Sequence, residues 1–308
     1  MLIRRGFKAC RDADRGNAVA IGNFDGVHLG HQAILAVLQQ RGLESGLPTA
    51  IVCFEPHPRE YFAIADAPAR LMRLRDKAER MAEAGVSELR VLRFDAGLSR
   101  WDAGTFIERV LVQALGAKRV VIGEGFRFGR DRSGDVATLR REGGRCGFAV
   151  DEVPPFAIGG APASSTRVRQ ALASGRLDNA RMLLGCDFRI SGRVIAGQKL
   201  GRKLGFPTAN LRLHRRVSPV AGIFAVRASG AGLERHAGVA SVGTRPTVGG
   251  KEWLLETHLF SFNGNLYQKR LEVHFIAKLR DEIQYPDLES MTMQMHDDAR
   301  RARELLQA

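Results

Sequence analysis

Two histidines three positions apart, His28 and His31, are the first residues whose types and spacing suggest chemistry. They close the stretch AIGNFDGVHLGH, in which an apolar run ends at a glycine and a short loop leads into a helical pattern. Gly22 and Gly26 let the backbone approach a ligand closely, and the free N–H groups of a helix N-terminus bind anions. Residues three apart share a helix face, so both imidazoles are expected to face one ligand. Such a pair can donate hydrogen bonds to phosphate oxygens as charge develops on them.

The histidine pair has three other interpretations. A zinc site is disfavoured because the H-E-x-x-H arrangement is missing and no third ligand is evident. A dinucleotide site of the dehydrogenase type is excluded because the stretch lacks G-x-G-x-x-G. For either histidine alone we expect a structural role in capping and packing. The pairing of the two histidines with GNFDG weakens this interpretation but leaves it open.

A second cluster lies in GQKLGRKLGFPTANL, residues 197–211, which predicts a flexible cationic loop able to fold over phosphates. It lacks the Walker spacing G-x-x-x-x-G-K-[ST], so it is not a P-loop. Thr208 and Asn210 follow Pro207 on an extended run and point to the same side, where their oxygens suit Mg²⁺. A basic hairpin loop followed by an edge strand remains the alternative. The glycines and basic residues of the loop are Gly197, Gly201, Gly205, Lys199, Arg202 and Lys203.

The strand pattern LLETHLF provides a carboxylate in a mainly apolar run. Alternation places Glu256 and His258 on one face. A carboxylate there is costly to bury unless it is paired or used, and it could accept the proton of a hydroxyl that attacks a γ-phosphate. An outward-facing charge on a half-exposed strand is the alternative.

The elements that must position these residues fall into two groups. Up to Gly185 the apolar runs NAVAIG, TAIVCF, ELRVLRF, AKRVVIG and FAVDEVP alternate with helical patterns, which predicts a parallel α/β sheet whose ligands bind beyond the carboxyl ends of the strands. From Asp187 to about Leu279, short strands with glycine and proline turns predict an antiparallel barrel or sandwich, closed by a C-terminal amphipathic helix. The predicted domains are therefore residues 1–185 and 186–308.

The amino-acid composition limits the classes of protein to which this chain can belong. The 308 residues, 44% of them hydrophobic and 26% charged, are typical of a folded chain with two domains. A net charge of +14 suggests polyanionic partners, either nucleic acid or small phosphorylated ligands, although arginines spread along the chain also fit a genome-wide compositional bias. The N-terminus has charges too early for a signal peptide, and no apolar run could span a bilayer, so a cytoplasmic location is expected. Four scattered cysteines, with no C-x-x-C pair, are expected to be reduced thiols.

GNFDGVHLGH resembles the H-x-G-H signature of the nucleotidylyltransferase superfamily, in the form typical of bacterial FAD synthetases. ASSTRVR, residues 163–169, resembles the second signature of that superfamily, which closes over the triphosphate at a helix start. A plain N-cap on a surface helix is the alternative for this second segment. The ATP and phosphate residues implied by the resemblance are Gly22, Asn23, Phe24, Asp25, His28, His31, Ser165, Thr166, Arg167 and Arg169.

Two further stretches, CFEPHPRE (53–60) and VVIGEGFRFGRDRSGD (120–135), resemble the parts of that family that hold the flavin. Gly125 departs from the family, which usually has Asp or Asn there, so a polar contact from this position is lost. The flavin residues implied by the resemblance are Pro56, His57, Pro58, Phe126 and Phe128.

The second half resembles the riboflavin kinase module, a small β-barrel with a C-terminal helix. The resemblance rests on GRKLGFPTANL, AGIFAV, GVASVGTRPTV, LETHLF and LRDE. It implies that Thr208 and Asn210 hold Mg·ATP and that Glu256 is the catalytic base. NGNLYQKR (263–270) departs mildly from the family and is expected to form a turn with little part in the chemistry. The ATP-binding residues implied are Gly197, Gly201, Lys203, Pro207, Thr208 and Asn210.

Together the resemblances imply an enzyme that phosphorylates riboflavin to FMN and adenylylates FMN to FAD, with ATP as co-substrate and Mg²⁺ as cofactor. The expected partners are these small molecules, with neither nucleic acid nor membrane, and the sequence leaves homo-oligomer formation open. One alternative is a riboflavin kinase with a weakened adenylyltransferase domain, suggested by Gly125. The other is a basic, nucleic-acid-binding regulatory protein on the same scaffold.

Overall fold

The computed structural model describes residues 1–8, 16–63, 66–197, 200–247 and 250–308. The chain forms two compact units. The sheet unit comprises Met1–Pro68 and Met72–Ser164, and the barrel unit comprises Ala69–Leu71 and Ser165–Ala308. The chain thus passes from one compact unit to the other after Ser164, whereas the domain boundary at residues 185 and 186 stays a prediction.

The sheet unit contains a six-stranded sheet in the order β1-β4-β3-β2-β5-β6, with every neighbouring pair parallel. The predicted parallel α/β fold is confirmed, and the structure adds the edge strand β1, which the sequence pattern did not reveal. The strands are β1 Leu2–Arg5, β2 Asn17–Ile21, β3 Thr49–Glu55, β4 Glu88–Arg93, β5 Ala117–Gly123 and β6 Ala149–Val153.

Both faces of this sheet are buried, which explains why its strands read as continuous apolar runs. In β2, Val19 and Ile21 belong to one core cluster, and Ala18 and Ala20 belong to the other. The helices of this unit are α1 Leu29–Ser45, α2 Pro58–Phe62, α3 Leu74–Glu83, α4 Ala96–Ser99, α5 Ala103–Phe106, which continues as a π-helix over Ile107–Ala114, and α6 Val136–Cys146. A short 3₁₀ turn, Arg130–Arg132, and a small hairpin, β7 Ala157–Ile158 with β8 Ala161–Pro162, complete the unit.

The strand order places a topological switch point between β2 and β5. From β2 the chain runs outward through β3 and β4, and it then returns to place β5 on the other side of β2. Ligands of open parallel sheets bind at such a crevice, beyond the carboxyl ends of the strands. The loop after β2 carries the histidine pair, and the loop after β5 carries Gly125, Phe126 and Phe128. The topology therefore brings two of the predicted ligand segments to adjacent strand ends.

The barrel unit begins with two helices and then forms a closed six-stranded barrel in the order β10-β13-β12-β11-β14-β9. All pairs are antiparallel, and β9 pairs with β10 to close the ring. The antiparallel prediction is confirmed as a barrel with a C-terminal helix. The elements are α7 Ser165–Ala173, α8 Leu177–Leu184, β9 Arg189–Ile195, α9 Leu200–Lys203, β10 Ala209–Arg212, β11 Gly222–Gly230, β12 Leu233–Thr247, β13 Gly250–Leu259, β14 Arg270–Arg280 and α10 Leu288–Leu306.

Alternation along the barrel strands separates a packed interior from an outer face covered by α10. Leu211, Val242 and Leu255 are fully buried and lie opposite one another in register. On the outer face, Val239 packs in one cluster with Ala299 of α10. The residues next to the interior positions therefore point outward, and these include the predicted catalytic glutamate.

Cys53 is buried, Cys146 and Cys186 are partly exposed, and Cys10 lies outside the described residues. No helix in the described part of the chain is long and apolar enough to cross a membrane.

Candidate active sites

The histidine loop, residues 22–28, has an unusual backbone. Phe24 and Val27 have positive φ angles of 49° and 42°, and Gly26 has a φ of 89°. Only glycine adopts such angles without strain, and for a β-branched valine this conformation is rare. The side chains of Phe24 and Val27 are buried at 0% and 2% exposure, so packing holds the loop in this shape. Gly22 continues the sheet into the loop, because its N–H donates to the carbonyl of Val52.

The two imidazoles stack on each other with ring centroids 3.7 Å apart. His28 is the N-cap of α1, and its Nδ1 accepts a long hydrogen bond, 3.4 Å, from the backbone N–H of His31. In the neutral form the proton of His28 is therefore on Nε2, which remains a donor. Burial of the His31 ring, together with the charges of His28 and Lys77, holds its pKa well below the usual value. His31 is thus neutral at pH 7, and its Nδ1 is buried with no hydrogen-bond partner.

Lys77 is a residue of this corner that sequence reasoning missed. Its side chain is only 2% exposed, and its Nζ donates to the carbonyl oxygen of Asn23 at 2.5 Å. It lies on α3 at a core-facing position, three residues after Leu74 and four before the buried Met81. A lysine on an apolar helix face is the signal that could have revealed it, because burying an ammonium group is costly.

The other predicted phosphate residues of this loop have mainly structural contacts. Asp25 is buried, and its Oδ1 accepts from the backbone N–H of Met72 at 3.0 Å, which ties the loop to the segment before α3. Asn23 has a buried Oδ1 with no partner, so this oxygen is available to a ligand. Among the residues that the structure describes, no third His, Cys, Asp or Glu completes a metal-binding group with the histidines.

The predicted flavin residues lie at the ends of β3 and β5. Pro56 follows a cis peptide bond, and His57 caps α2, its ring accepting from the N–H of Arg59, while Pro58 begins that helix. Phe126 and Phe128 stack with centroids 5.7 Å apart. Phe128 is buried in the core, whereas Phe126 packs at its margin and is partly exposed.

Gly125 has a φ of +72°, and no atom lies within 4 Å of the position that a Cβ would occupy. Asp and Asn tolerate this left-handed conformation better than other residues. The departure from the family pattern therefore keeps the backbone shape and removes only a side chain.

The second predicted phosphate segment lies on α7, which belongs to the barrel unit. Ser165 and Thr166 occupy the first turn of α7, and Val168 is buried. The Nε of Arg169 donates to the carbonyl oxygen of Ala69 at 2.6 Å. The role of Ser165, Thr166, Arg167 and Arg169 in binding the triphosphate stays a prediction.

In the barrel, register brings the predicted kinase residues into one row. Asn210 of β10 lies directly opposite Glu256 of β13, which lies opposite Ser241 of β12. The Asn210 Nδ2 donates to the backbone oxygen of Thr208 at 3.1 Å and to its Oγ1 at 3.2 Å, so the two side chains meet as predicted. The Asn210 Oδ1 is buried and has no hydrogen-bond partner among the described residues, which fits an oxygen ligand for a hard divalent cation.

Two cavities flank this row, and Thr208 lines both. One, of about 560 Å³, is also lined by Arg202, Pro207 and the turn Asn263–Tyr267. The turn predicted to have little part in the chemistry is therefore a wall of this cavity. The other, of about 610 Å³, contains Glu256 and an apolar wall toward α10 formed by Leu204, Phe206, Ile223, Val239, Met291 and Met295.

Two glycines of the cationic loop, Gly197 and Gly201, are required by close packing. A Cβ at Gly197 would lie 2.8 Å from the carboxamide carbon of Asn210, and a Cβ at Gly201 would overlap the carbonyl oxygen of Phe206. Lys199 and the side chain of Lys203 lie outside the described residues. His258 donates from Nδ1 to the carbonyl of Pro207 at 2.9 Å, and burial lowers its pKa.

The comparisons with known proteins agree in both halves of the chain. A bifunctional riboflavin kinase/FMN adenylyltransferase of Haemophilus influenzae is 45% identical over 303 residues, which cover 98% of this chain and 98% of that protein. This chain belongs to that family. The enzyme of the same description from Escherichia coli K12 is 44% identical over 303 residues, 98% of this chain and 97% of its own.

Family models divide this chain in the predicted order. The model for FAD synthetase matches residues 10–167, and the model for riboflavin kinase matches residues 184–306. The crystal structure of a protein described as a macrolide-efflux protein from Streptococcus pneumoniae has a TM-score of 0.82 and 27% identity, covering 98% of this chain and 99% of that one. The resemblance and the fold class predicted from the sequence are both confirmed.

Proposed function

We propose that this chain phosphorylates riboflavin to FMN with its barrel unit and adenylylates FMN to FAD with its N-terminal half. Its membership of the bifunctional family, with a matching region for each activity, supports both steps. Neither alternative, a kinase with a weakened second domain or a nucleic-acid-binding protein, is favoured by these relatives.

In the kinase step, Glu256 accepts the proton of the ribityl hydroxyl as that oxygen attacks the γ-phosphorus of ATP. The new bond joins the ribityl oxygen to phosphorus, the bond from phosphorus to the β,γ-bridging oxygen breaks, and ADP leaves. We assign ATP to the cavity with Arg202 and the turn Asn263–Tyr267, and the flavin ring to the apolar cavity toward α10.

Thr208 and Asn210 would hold Mg²⁺, since the unpartnered Oδ1 of Asn210 is the type of atom that such an ion binds. When bound, the ion neutralises charge on the ATP phosphates. Gly197 and Gly201 let the cationic loop pack close to these ligands.

In the adenylylation step, the FMN phosphate attacks the α-phosphorus of ATP, the bond to the α,β-bridging oxygen breaks, and pyrophosphate leaves. The Nε2–H of His28 and the N–H of neutral His31 would donate to the phosphoryl oxygens as charge builds on them. The ASSTRVR segment would bind the triphosphate, and the loop carrying Phe126 would contact the flavin.

The observation that carries the proposal is the row of Asn210 and Glu256 next to Thr208: Thr208 lines both cavities, and Glu256 lines the apolar one. A proton acceptor beside a cation ligand, next to space for two substrates, is the arrangement that transfer between a nucleotide and an alcohol requires. The test is to incubate the pure protein with riboflavin, ATP and MgCl₂ and to separate the flavins by chromatography. FMN should form first and FAD should follow.

Each of the other possible results of these experiments supports a different conclusion. If neither product forms, the proposal is wrong, and if FMN accumulates without FAD, the protein is a kinase alone. Duplex DNA that binds tightly, with a steep dependence on salt, would instead support the nucleic-acid alternative. A cytoplasmic location is part of the proposal and is tested by fractionation, and gel filtration would give the oligomeric state.

A further inference from the structure

We propose that Arg245 is a positioning residue for the kinase reaction: it holds one carboxylate oxygen of Glu256 and leaves the other facing the acceptor hydroxyl. The inference rests on the proposed kinase function and assigns a role to a residue that the sequence motifs did not single out.

The contact itself is direct. The Nη2 of Arg245 lies 2.5 Å from Oε2 of Glu256, as both a hydrogen bond and an ion pair. Glu256 Oε1 accepts no hydrogen bond from the residues that the structure describes, so this oxygen is the one available to a substrate. The two side chains are partly exposed, at 37% for Arg245 and 26% for Glu256, and both line the apolar cavity.

Arg245 is not paired with the glutamate that lies nearest to it in the strand register. Arg245 of β12 is directly opposite Glu252 of β13, and Glu256 is four residues further along the same face. Glu252 is paired instead with Arg212, at 3.4 Å. Arg245 therefore extends past its direct cross-strand neighbour, which cross-strand pairing alone does not explain.

Glu256 requires a cation because a second carboxylate lies close to it. The carboxylate of Glu282 packs against Gly243 of β12, where an added Cβ would overlap it, and it accepts from Oγ of Ser241 at 3.2 Å. Burial of this carboxylate and the charge of Glu256 both raise the pKa of Glu282. Two neighbouring carboxylates repel each other, and a fixed guanidinium between strands offsets that repulsion.

The neighbouring arginine cannot take this role. Arg280 lines the same cavity, but its Nε and Nη2 both bind Asp298 of α10, at 3.0 and 2.6 Å. Across the described ranges, Arg245 is the one cation within ion-pair distance of Glu256.

A carboxylate that is free to rotate presents either oxygen to solvent or substrate, and a general base is effective only in the correct geometry. A planar guanidinium restricts that rotation more than the point charge of a lysine does. The structure thus has the features of an oriented base: one oxygen is held by Arg245, and the other accepts from no donor in the described part of the chain.

The test compares Arg245→Gln and Arg245→Lys with the wild-type full-length protein. R245Q is expected to lower kcat for FMN formation by about 10- to 100-fold, the usual cost of misplacing a reacting group, with KM values for riboflavin and ATP changed by less than about threefold. R245K should recover part of that loss. FAD formation from supplied FMN should be unchanged in both variants. This second activity is an internal control for the folding of each variant protein.

A double-mutant cycle separates orientation of Glu256 from direct contact with phosphate. If Arg245 acts through Glu256, R245Q/E256Q forms FMN no more slowly than E256Q alone. Losses that multiply would overturn the proposal, because Arg245 would then act independently of the base. Arg212→Gln, which removes the pair between Arg212 of β10 and Glu252 of β13, is the matched control and should keep wild-type kcat.

The remaining outcomes are also decisive. Wild-type kcat in R245Q would overturn the inference while leaving the proposed function intact, whereas a wild-type protein that makes no FMN would overturn the proposed function itself. If R245Q loses both activities through misfolding, R245K decides: a lower kcat for FMN formation with unchanged KM values supports the role, and a wild-type kcat rejects it.

Discussion

The two candidate sites are built in opposite ways. The histidine corner is a loop at a strand end with two non-glycine residues at positive φ, two stacked imidazoles and buried polar atoms without partners. The Glu256 site lies on regular antiparallel strands, where direct register places Asn210 and Glu256 side by side and an ion pair holds the carboxylate proposed as the base.

The difference follows from the chemistry assigned to each site. Adenylyl transfer from ATP to a phosphate needs no proton acceptor, so hydrogen-bond donors held rigidly by a packed loop are suited to it. Transfer to an alcohol needs a base, and a base needs a fixed charge environment, which strands with cross-strand partners provide. One site is therefore organised by backbone shape, and the other by side-chain pairing.

The strongest test of this comparison is Glu256→Gln. Because the amide keeps the size of the side chain and cannot accept the hydroxyl proton as a carboxylate does, FMN formation should fall by about 10²- to 10⁴-fold. FAD formation from supplied FMN should remain within about twofold of wild type, measured by chromatography. An equal loss of both activities would contradict the assignment of separate sites.

The reciprocal variant, His31→Gln, should lower FAD formation by about 10²- to 10³-fold, the usual effect of removing one donor to a developing oxyanion. FMN formation from riboflavin should be preserved. Unchanged FAD formation would show that the stacked pair has only a capping and packing role.

Gly197→Ala should give a smaller effect on the kinase alone. The added methyl would press on the Asn210 carboxamide, which is only 4% exposed and is held by Thr208, so the proposed cation ligand should shift. We expect kcat for FMN formation to fall by about tenfold, in line with the cost of small displacements at a reacting centre. Gly144→Ala on α6, where a Cβ meets no atom within 4 Å, is the control and should leave both activities unchanged.

The smallest expected effect is on stability, through the neutral His31. Its pKa in the folded protein is lowered by burial and by the nearby charges of His28 and Lys77. Below about pH 6.5 the unfolded chain therefore binds more protons than the folded chain does, and stability decreases as pH falls toward 5. Denaturant unfolding at pH 7 and pH 5 should show a smaller difference for H31Q than for wild type, and an equal difference would reject this contribution.

Much of the fold could be predicted from the sequence because the central strands of the sheet are almost entirely buried. The apolar runs of β2, β3 and β4 indicate strands buried on both faces, and the later alternation indicates a barrel with one covered face. The edge strand β1 escaped prediction because LIRR, four residues long and mainly exposed, has neither signal.

The candidate sites were less predictable than the elements that hold them. Thr208, Asn210 and Glu256 could be predicted as site residues because motif and alternation coincide. Lys77 and Arg245 could not, since their contacts are with residues 54 and 11 positions away in the chain. The turn at Asn263–Tyr267 could not be recognised as a cavity wall because only the closed barrel brings it to Thr208.

The barrel unit includes a short segment from the N-terminal half of the chain, and this limits how the protein can be divided into fragments. Ala69–Leu71, from the middle of the N-terminal half, belongs to this unit, where Ala69 accepts from Arg169 and Leu71 accepts from Nη2 of Arg215. No single peptide-bond cleavage therefore yields two fragments that each contain one complete unit. A fragment that begins at Ser165 lacks both carbonyl acceptors, so fragment complementation, with residues 1–164 supplied in trans, is the appropriate way to study the units apart.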